Sequence, residues 1–372
     1  MALIQYMTRV QFDHGARLLL RDELDLLGVR KPLFVTDAGV IGAGLLGQVL
    51  EGLRGLPHAV FDGTPANPTA AAAVQAHARY AQEGCDGLVA VGGGSSIDLG
   101  KAVSVLVHHP APLEQYAYYR TGLAQLPHAT APLVAVPTTA GTGSEVGFGS
   151  VLVFESHRKG TIASHKLLAR AALCDPDLTL GLPPRLTAAT GLDALSHCVE
   201  AFCSPRVNPV AEAIALDGLA RAVRWLPRAV GDGTQREARW NMMMAALQGG
   251  LCFQKGLGSV HALSHPLGAF GHHHGTLNSI FLPHVLRHNE PVLADKLERL
   301  RQACGLSAGS DLPDFFAAFA RDLGIPTRLS EIGVTPQQLR ELPAQAMEDG
   351  TNATNPATMT AGDYRRLYEA AL

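Results

Sequence analysis

No run of lysine or arginine interrupts this chain of 372 residues, and its 30 basic side chains are nearly matched by 33 acidic ones, leaving a net charge of -3. A nucleic-acid partner would need a basic face, so that class is excluded. No apolar stretch approaches the ~18 residues that a membrane span requires. The opening MALIQYMTRVQFDHG lacks the basic start, long apolar core and small-residue cleavage site of a secretory leader. A soluble, cytoplasmic protein with no membrane partner is expected. The six cysteines, Cys85, Cys174, Cys198, Cys203, Cys252 and Cys304, form no CxxC pair and no regular framework, which argues against a disulfide scaffold. Internal repeats are absent, and the alanine (70–73) and methionine (242–244) runs are too short to be low-complexity tracts.

What the chain does have is apolar residues. They make up 47% of it, against 17% charged, enough for large cores in about two domains. Up to about residue 180, short apolar runs alternate with helical stretches. PLFVTD (32–37), HAVFDG, GLVAVGGG (87–94) and LVAVPTT read as strands, with helices between them, and ALIQYMTRVQF as a strand or an opening hairpin. That rhythm predicts βαβ units and a mostly parallel sheet. From Leu186 onward helical periodicity dominates, broken at SPRVNP, GDG, GLSAGSDLP and GIPTRLS. The expected organisation is an α/β N-terminal dinucleotide-binding domain over 1–180 and an all-α C-terminal metal-binding domain over 181–372.

VAVGGGSSIDLGK sets Gly92, Gly93 and Gly94 between a buried strand and a helix expected to begin near Ser95. A helix N-terminus offers unpaired N–H groups and partial positive charge to a phosphate, and glycines let the backbone approach it closely. Ser95 is placed to cap that helix and to bind a phosphate oxygen. A second strand-end loop, PTTAGTGSE (137–145), brings the hydroxyls of Thr138, Thr139 and Thr142. Open α/β sheets bind ligands at such strand ends. Asp37 closes the PLFVTD strand, where a carboxylate accepts hydrogen bonds from ribose hydroxyls and repels a 2′-phosphate, favouring NAD over NADP. The acid precedes the glycines here, so this is not the GxGxxG fingerprint.

GLGSVHALSHPLGAFGHHHG (256–275) contains His261, His265, His272, His273 and His274. His261 and His265 lie four apart, which puts both imidazoles on one helix face. Asp193 and His197 in TGLDALSHCVEAF repeat that spacing. Asp193, His197, His261 and one of His272, His273 or His274 would surround a divalent ion with one carboxylate and three imidazoles. With neutral imidazoles the site keeps about one positive charge, which favours an alkoxide. Ligand chemistry admits Fe²⁺ or Zn²⁺. Cys198 points about 100° from His197 on a helix and is assigned to the core.

GGGSSIDLGK, PTTAGTGSE, GLDALSHCVEAF and GLGSVHALSHPLGAF…HHGTLN stand in the order and approximate spacing of the iron-containing (group III) alcohol dehydrogenase family, which this chain resembles over most of its length. The resemblance implies an NAD-dependent, Fe²⁺-dependent oxidoreductase, commonly a homodimer, acting on a small-molecule alcohol or aldehyde. It implies Asp193, His197, His261 and His274 as metal ligands, the last because it directly precedes Gly275. His265 is placed beside the nicotinamide without binding metal. Gly93, Gly94, Ser95, Asp98, Thr138, Thr139 and Asp37 fall on cofactor contacts, and Lys159 on a lysine near the cofactor. CFQKGLGSVHALSHPLG, CDPDLTLGLP and TNPATMTAGDYRR resemble the bacterial branch that interconverts 4-hydroxybutyrate and succinate semialdehyde, although GAFGHHHG is shorter than in that branch. A carboxylate on the substrate would need a basic partner, with Lys159, Lys166, Lys255, His272 and His273 as candidates.

On this reading the metal stabilises an alkoxide, hydride passes to the nicotinamide, and His265 relays the proton. Three rivals stand beside it. One is a general primary-alcohol or lactaldehyde/1,2-propanediol oxidoreductase. Another is a net non-redox lyase resembling dehydroquinate synthase, which would need a basic phosphate-binding cluster that is not apparent. The third is a nucleotide sensor, which would have no use for four metal ligands.

Overall fold

PLFV, GLVAVG, LVAVP and AALC carry no polar side chain, and such runs suit parallel strands covered on both faces. In the computed structural model, which describes Ile4, Tyr6 and residues 8–372, every residue of these four strands is buried. The strands are β1 (Arg9–Phe12), β2 (Pro32–Val35), β3 (Ala59–Phe61), β4 (Gly87–Gly92), β5 (Leu133–Pro137), β6 (Gly149–Val153), β7 (Lys159–Ala163) and β8 (Ala171–Cys174). Six of them form one parallel sheet in the order β1-β8-β5-β4-β2-β3. The helices of this unit are α1 (Leu20–Leu26), α2 (Ala38–Gly42), α3 (Leu45–Glu51), α4 (Ala70–Gln82), α5 (Gly94–Leu106) and α6 (Tyr118–Thr121).

Side chains alternate between faces along each strand, and two cores result. Leu33, Val35, Leu88, Ala90 and Ala135 face α4 and α5, while Phe34, Val89, Val91, Val134 and Val136 face α1 and α3. The opening stretch contributes β1 alone, paired parallel to β8, so over the residues described it is a strand and not a hairpin. Met1, Ala2, Leu3, Gln5 and Met7 of that stretch lie outside the described residues. One departure from the βα rhythm is the antiparallel hairpin β6–β7, whose exposure alternates along β6. Another lies between β2 and β3, where the helical stretch divides into α2 and α3 at Gly44.

The helical unit comprises α7 (Pro184–Cys203), α8 (Pro209–Gly231), α9 (Arg236–Cys252), α10 (Ser259–Gly268), α11 (His274–Asn289), α12 (Ala294–Ala303), α13 (Leu312–Asp322), α14 (Leu342–Glu348) and α15 (Ala361–Ala371). Helix α7 is its core, with an almost unbroken buried stretch from Thr187 to Cys203. By compactness the α/β unit spans Tyr6–Thr139 and Ser144–Gly181, and the helical unit spans Leu182–Leu372 together with Ala140–Gly143. The middle of the PTTAGTGSE loop, residues 140–143, thus packs with the helices: an added Cβ on Gly141 would meet Thr190, and one on Gly143 would meet the Gly250 backbone. No helix among the described residues is long and apolar enough to cross a membrane.

Candidate active site

Three residues of α7, Asp193, His197 and Glu200, are spaced four and three apart and so share one buried face. Helix α10 presents His261 and His265 in the same way, and α11 begins at His274 with Asn278 one turn later. These elements bring Asp193, His261 and His274 together, their donor atoms all within 4.8 Å of one another. His261 Nε2 lies 4.0 Å and His274 Nε2 lies 3.8 Å from Asp193 Oδ1. The Asn278 amide nitrogen stands among all three, at 2.7 Å from Asp193 Oδ1, 3.2 Å from His261 Nε2 and 3.1 Å from His274 Nε2. An amide has two hydrogens for these three acceptors, and its own Oδ1 is buried without a partner.

His197 is not drawn into that tight group. Its ring stacks on His261 with centroids 4.6 Å apart and touches Phe253 on another side. Its Nδ1 is buried without a partner. Burial, opposed by the Asp193 carboxylate, pushes its pKa down to about 4, so the ring is neutral, as a ligand must be. One carboxylate and two imidazoles with convergent lone pairs, a third imidazole stacked beside them and orphaned buried polar atoms together fit a divalent cation.

Two further carboxylates complete this region, and motif spacing had pointed to neither. Glu200 accepts the Nδ1–H of His261 and the backbone N–H of Val260. Burial lowers the His261 pKa, but Glu200 and Asp193 outweigh it and the net direction is upward. Asp349 accepts the Nδ1–H of His265 at 2.8 Å and two hydrogen bonds from Thr351. Burial pushes the Asp349 carboxyl up, yet the His265 and Thr351 contacts prevail and hold it below its ordinary value. The His265 and His274 rings stack at 5.3 Å, tilted by 10°. The Glu200 signal was available as the i+7 continuation of the Asp193 face, whereas Asp349 belongs to no periodic pattern. His272 is half-buried and His273 exposed, outside the donor group.

In the α/β unit the chain runs from β2 to β3 on one side of the sheet, and from β4 towards β5 on the other. The loops after β2 and β4 therefore diverge, which makes the crevice where open sheets take ligands. Asp37, Gly92, Gly93 and Gly94 lie there. Gly92 has φ +151, and a Cβ on it would fall 2.5 Å from Ser96 Oγ, so only glycine makes this turn. Thr138 donates its N–H to Gly92 at 3.0 Å, and Thr139 adjoins Gly93, so the two strand-end loops lie side by side. The Asp37 carboxylate caps α2 through Val40 N–H and takes a hydrogen bond from Ser96.

Two expected contacts, Ser95 and Asp98, are occupied otherwise. Helix α5 begins at Gly94 with no side-chain cap, and Ser95 donates to the Ala66 carbonyl instead of capping it. Asp98 is half-buried, with both carboxylate oxygens committed, to Ser144 Oγ and Val151 N–H. Buried Lys101 holds the same loop through the Ser144, Gly147 and Gly149 carbonyls. Thr142 packs with the helical unit. Of the lysines considered for a substrate carboxylate, Lys255 is buried and donates to the carbonyls of Ala201, Phe202 and Ser204 at the end of α7. Lys166 donates to Leu126 O, and Lys159 to Asn67. A second cluster, His14, Asp175 and Asp177, has metal-like proximity. There Asp175 is already saturated by Arg17 and by the backbone N–H groups of Gly15 and Asp177.

A strand-end crevice on a parallel sheet suits a nucleotide, and the carboxylate–imidazole cluster of the helical unit suits a divalent cation. Residues 7–176 match the model of the iron-containing alcohol dehydrogenases, and residues 187–372 match that of the C-terminal region of the Fe-containing alcohol dehydrogenase family. The chain is 48% identical over the full length of both chains to 4-hydroxybutyrate dehydrogenase of Cupriavidus necator. It is similar to the crystal structure of a 1,3-propanediol oxidoreductase, with TM-score 0.94, 34% identity and both chains fully covered. It is also similar to a sulfoacetaldehyde reductase from Bifidobacterium kashiwanohense in complex with NAD+, with TM-score 0.90, 27% identity and 100% and 98% of the two chains covered. The chain belongs to the iron-containing alcohol dehydrogenase family and is an oxidoreductase.

Proposed function

We propose that this protein is a cytoplasmic, NAD-dependent and Fe²⁺-dependent dehydrogenase that interconverts 4-hydroxybutyrate and succinate semialdehyde. The convergence of Asp193, His261 and His274 on a single point carries the chemistry, and the full-length likeness to a 4-hydroxybutyrate dehydrogenase carries the substrate. Asp193, His197, His261 and His274 would hold the cation. When bound, that cation supplies Lewis acidity at the alcohol oxygen and NAD supplies the hydride acceptor.

The chain's own residues do the rest. His265, oriented by Asp349, turns its Nε2 away from the carboxylate as the acceptor for the hydroxyl proton. The α5 N-terminus and Gly92–Gly94 receive the pyrophosphate, with Thr138 and Thr139 beside it. Asp37 accepts the ribose hydroxyls. Lys159 stands on β7 near the start of α4 as the remaining basic residue towards the cofactor.

The reading is tested on anaerobically purified protein supplied with Fe²⁺ and NAD, by comparing 4-hydroxybutyrate, 1,3-propanediol, 1,2-propanediol and butanol. The highest kcat/KM is expected for 4-hydroxybutyrate; a diol or butanol ahead of it would overturn the substrate. The likeness to 1,3-propanediol oxidoreductase makes the diol the second reading.

A further inference from the structure

His261 carries two nitrogens, and only the one without a proton can bind a cation. Which one that is depends on what faces the other. Here the Nδ1 side is closed by Glu200, a residue on the same face of α7 as Asp193 and His197, in a contact buried on both sides. The two carboxylate oxygens have separate tasks: Oε2 accepts the His261 Nδ1–H, while Oε1 accepts the Val260 N–H at 2.8 Å. Val260 is the second residue of α10 and His261 the third, so a single carboxylate holds both the first turn of that helix and the ring it carries. The turn supplies no cap of its own: Gly258 has no side chain to offer, and the Ser259 N–H goes to Asn355 Oδ1 at 3.1 Å. A Cβ at Gly258 would fall 2.9 Å from Glu200 Oε1, so the carboxylate sits tightly in place.

Resting on the metal site proposed above, we propose that Glu200 is the positioning residue that fixes His261 in the Nδ1–H tautomer and aims its Nε2 lone pair at the cation. Outer-shell carboxylates of this kind orient ligand imidazoles and raise their donor strength. Glutamine is nearly the same shape but cannot replace it. With its oxygen towards His261, its NH2 group meets the Val260 N–H donor to donor. With its NH2 group towards His261, the ring must move its proton to Nε2 and lose the ligand lone pair. Aspartate is one methylene too short to reach both donors.

The test is Zn²⁺ affinity by chelator competition, with the visible spectrum of the Co²⁺-loaded protein, for wild type, E200Q and H261A. E200Q is expected to bind Zn²⁺ about 10- to 100-fold more weakly and to change the Co²⁺ bands, while H261A loses the tight site. Wild-type affinity and spectrum in E200Q, with the site lost in H261A, would overturn the role of Glu200 and leave the metal site standing. Wild-type affinity in H261A would overturn the metal site itself. Independently of whether E200Q folds, the wild-type Zn²⁺-loaded protein labelled with 15N-histidine reports the tautomer by long-range 1H–15N correlation. A proton on His261 Nδ1 supports the proposal, and a bare Nδ1 overturns it.

Discussion

His265 and His274 stack face to face, yet only His274 has its nitrogen in the donor group. The difference shows in what faces each ring: Asp349 draws the Nδ1 of His265 at 2.8 Å, while Ser264 Oγ lies 3.4 Å from the Nδ1 of His274. Replacing Asp349 by Asn should leave metal content unchanged and lower kcat, by about 10- to 100-fold if the dyad supplies part of the acid–base step; metal analysis beside steady-state rates checks both. At the crevice, D37N keeps the cap on Val40 but removes the charge. The ratio of kcat/KM for NADP over that for NAD should then rise by about tenfold or more, and an unchanged ratio would show that Asp37 does not read the ribose. The side chains at these positions were readable in advance because Asp193/His197 and His261/His265 repeat at helical spacing. Asp349 was not, since it lies 84 residues beyond His265 and nothing local marks it. Lys255 misled for the opposite reason: its neighbours in sequence are site residues, but its ammonium serves the carbonyls that end α7.

Between elements, close approach is set by glycine. Gly275 follows His274 directly, and a Cβ there would fall 2.1 Å from the Ala189 carbonyl oxygen of α7 and 3.1 Å from the Asp193 Cβ. G275A should force α11 away from α7, destabilise the protein by about 1–3 kcal/mol and weaken metal binding. Thermal unfolding with and without a chelator measures the two effects together. Strands β2, β3, β4 and β5 were legible as short apolar runs, and α5 and α7 as helical ones, whereas β8 was not singled out. The β6–β7 hairpin was not, because the polar run ESHR joins VLVF to KGTIA in place of a two-residue Asn-Gly or Asp-Gly turn signal. Nor was the partition of residues 140–143, which rests on backbone-to-backbone packing at Gly141 and Gly143 that leaves no side-chain pattern.

Over the whole molecule, all six cysteines are free and buried, and burial pushes the thiols of Cys203 and Cys304 from the ordinary 9 up to about 12. Cys85, Cys174 and Cys252 move in the same direction. The folded chain keeps these protons at a pH where the unfolded chain releases them. Their contribution is therefore intact below about pH 9 and is lost as pH climbs towards 12. Buried Lys101 and Lys255, pushed down to about 8 by burial, act the other way between about pH 8 and 10.5, but the thiols outnumber them. Urea midpoints should fall between pH 9 and pH 10.5, and a flat or rising profile there would contradict this balance.

Diffraction from crystals of the metal-loaded protein, with anomalous differences collected at the edge of the bound metal, tests the central assignment most directly. One peak is expected, within about 2.0–2.2 Å of Asp193, His261 Nε2, His274 Nε2 and a His197 ring nitrogen turned towards it. The account fails if that position is empty, or if the only peak lies elsewhere, such as beside His14, Asp175 and Asp177.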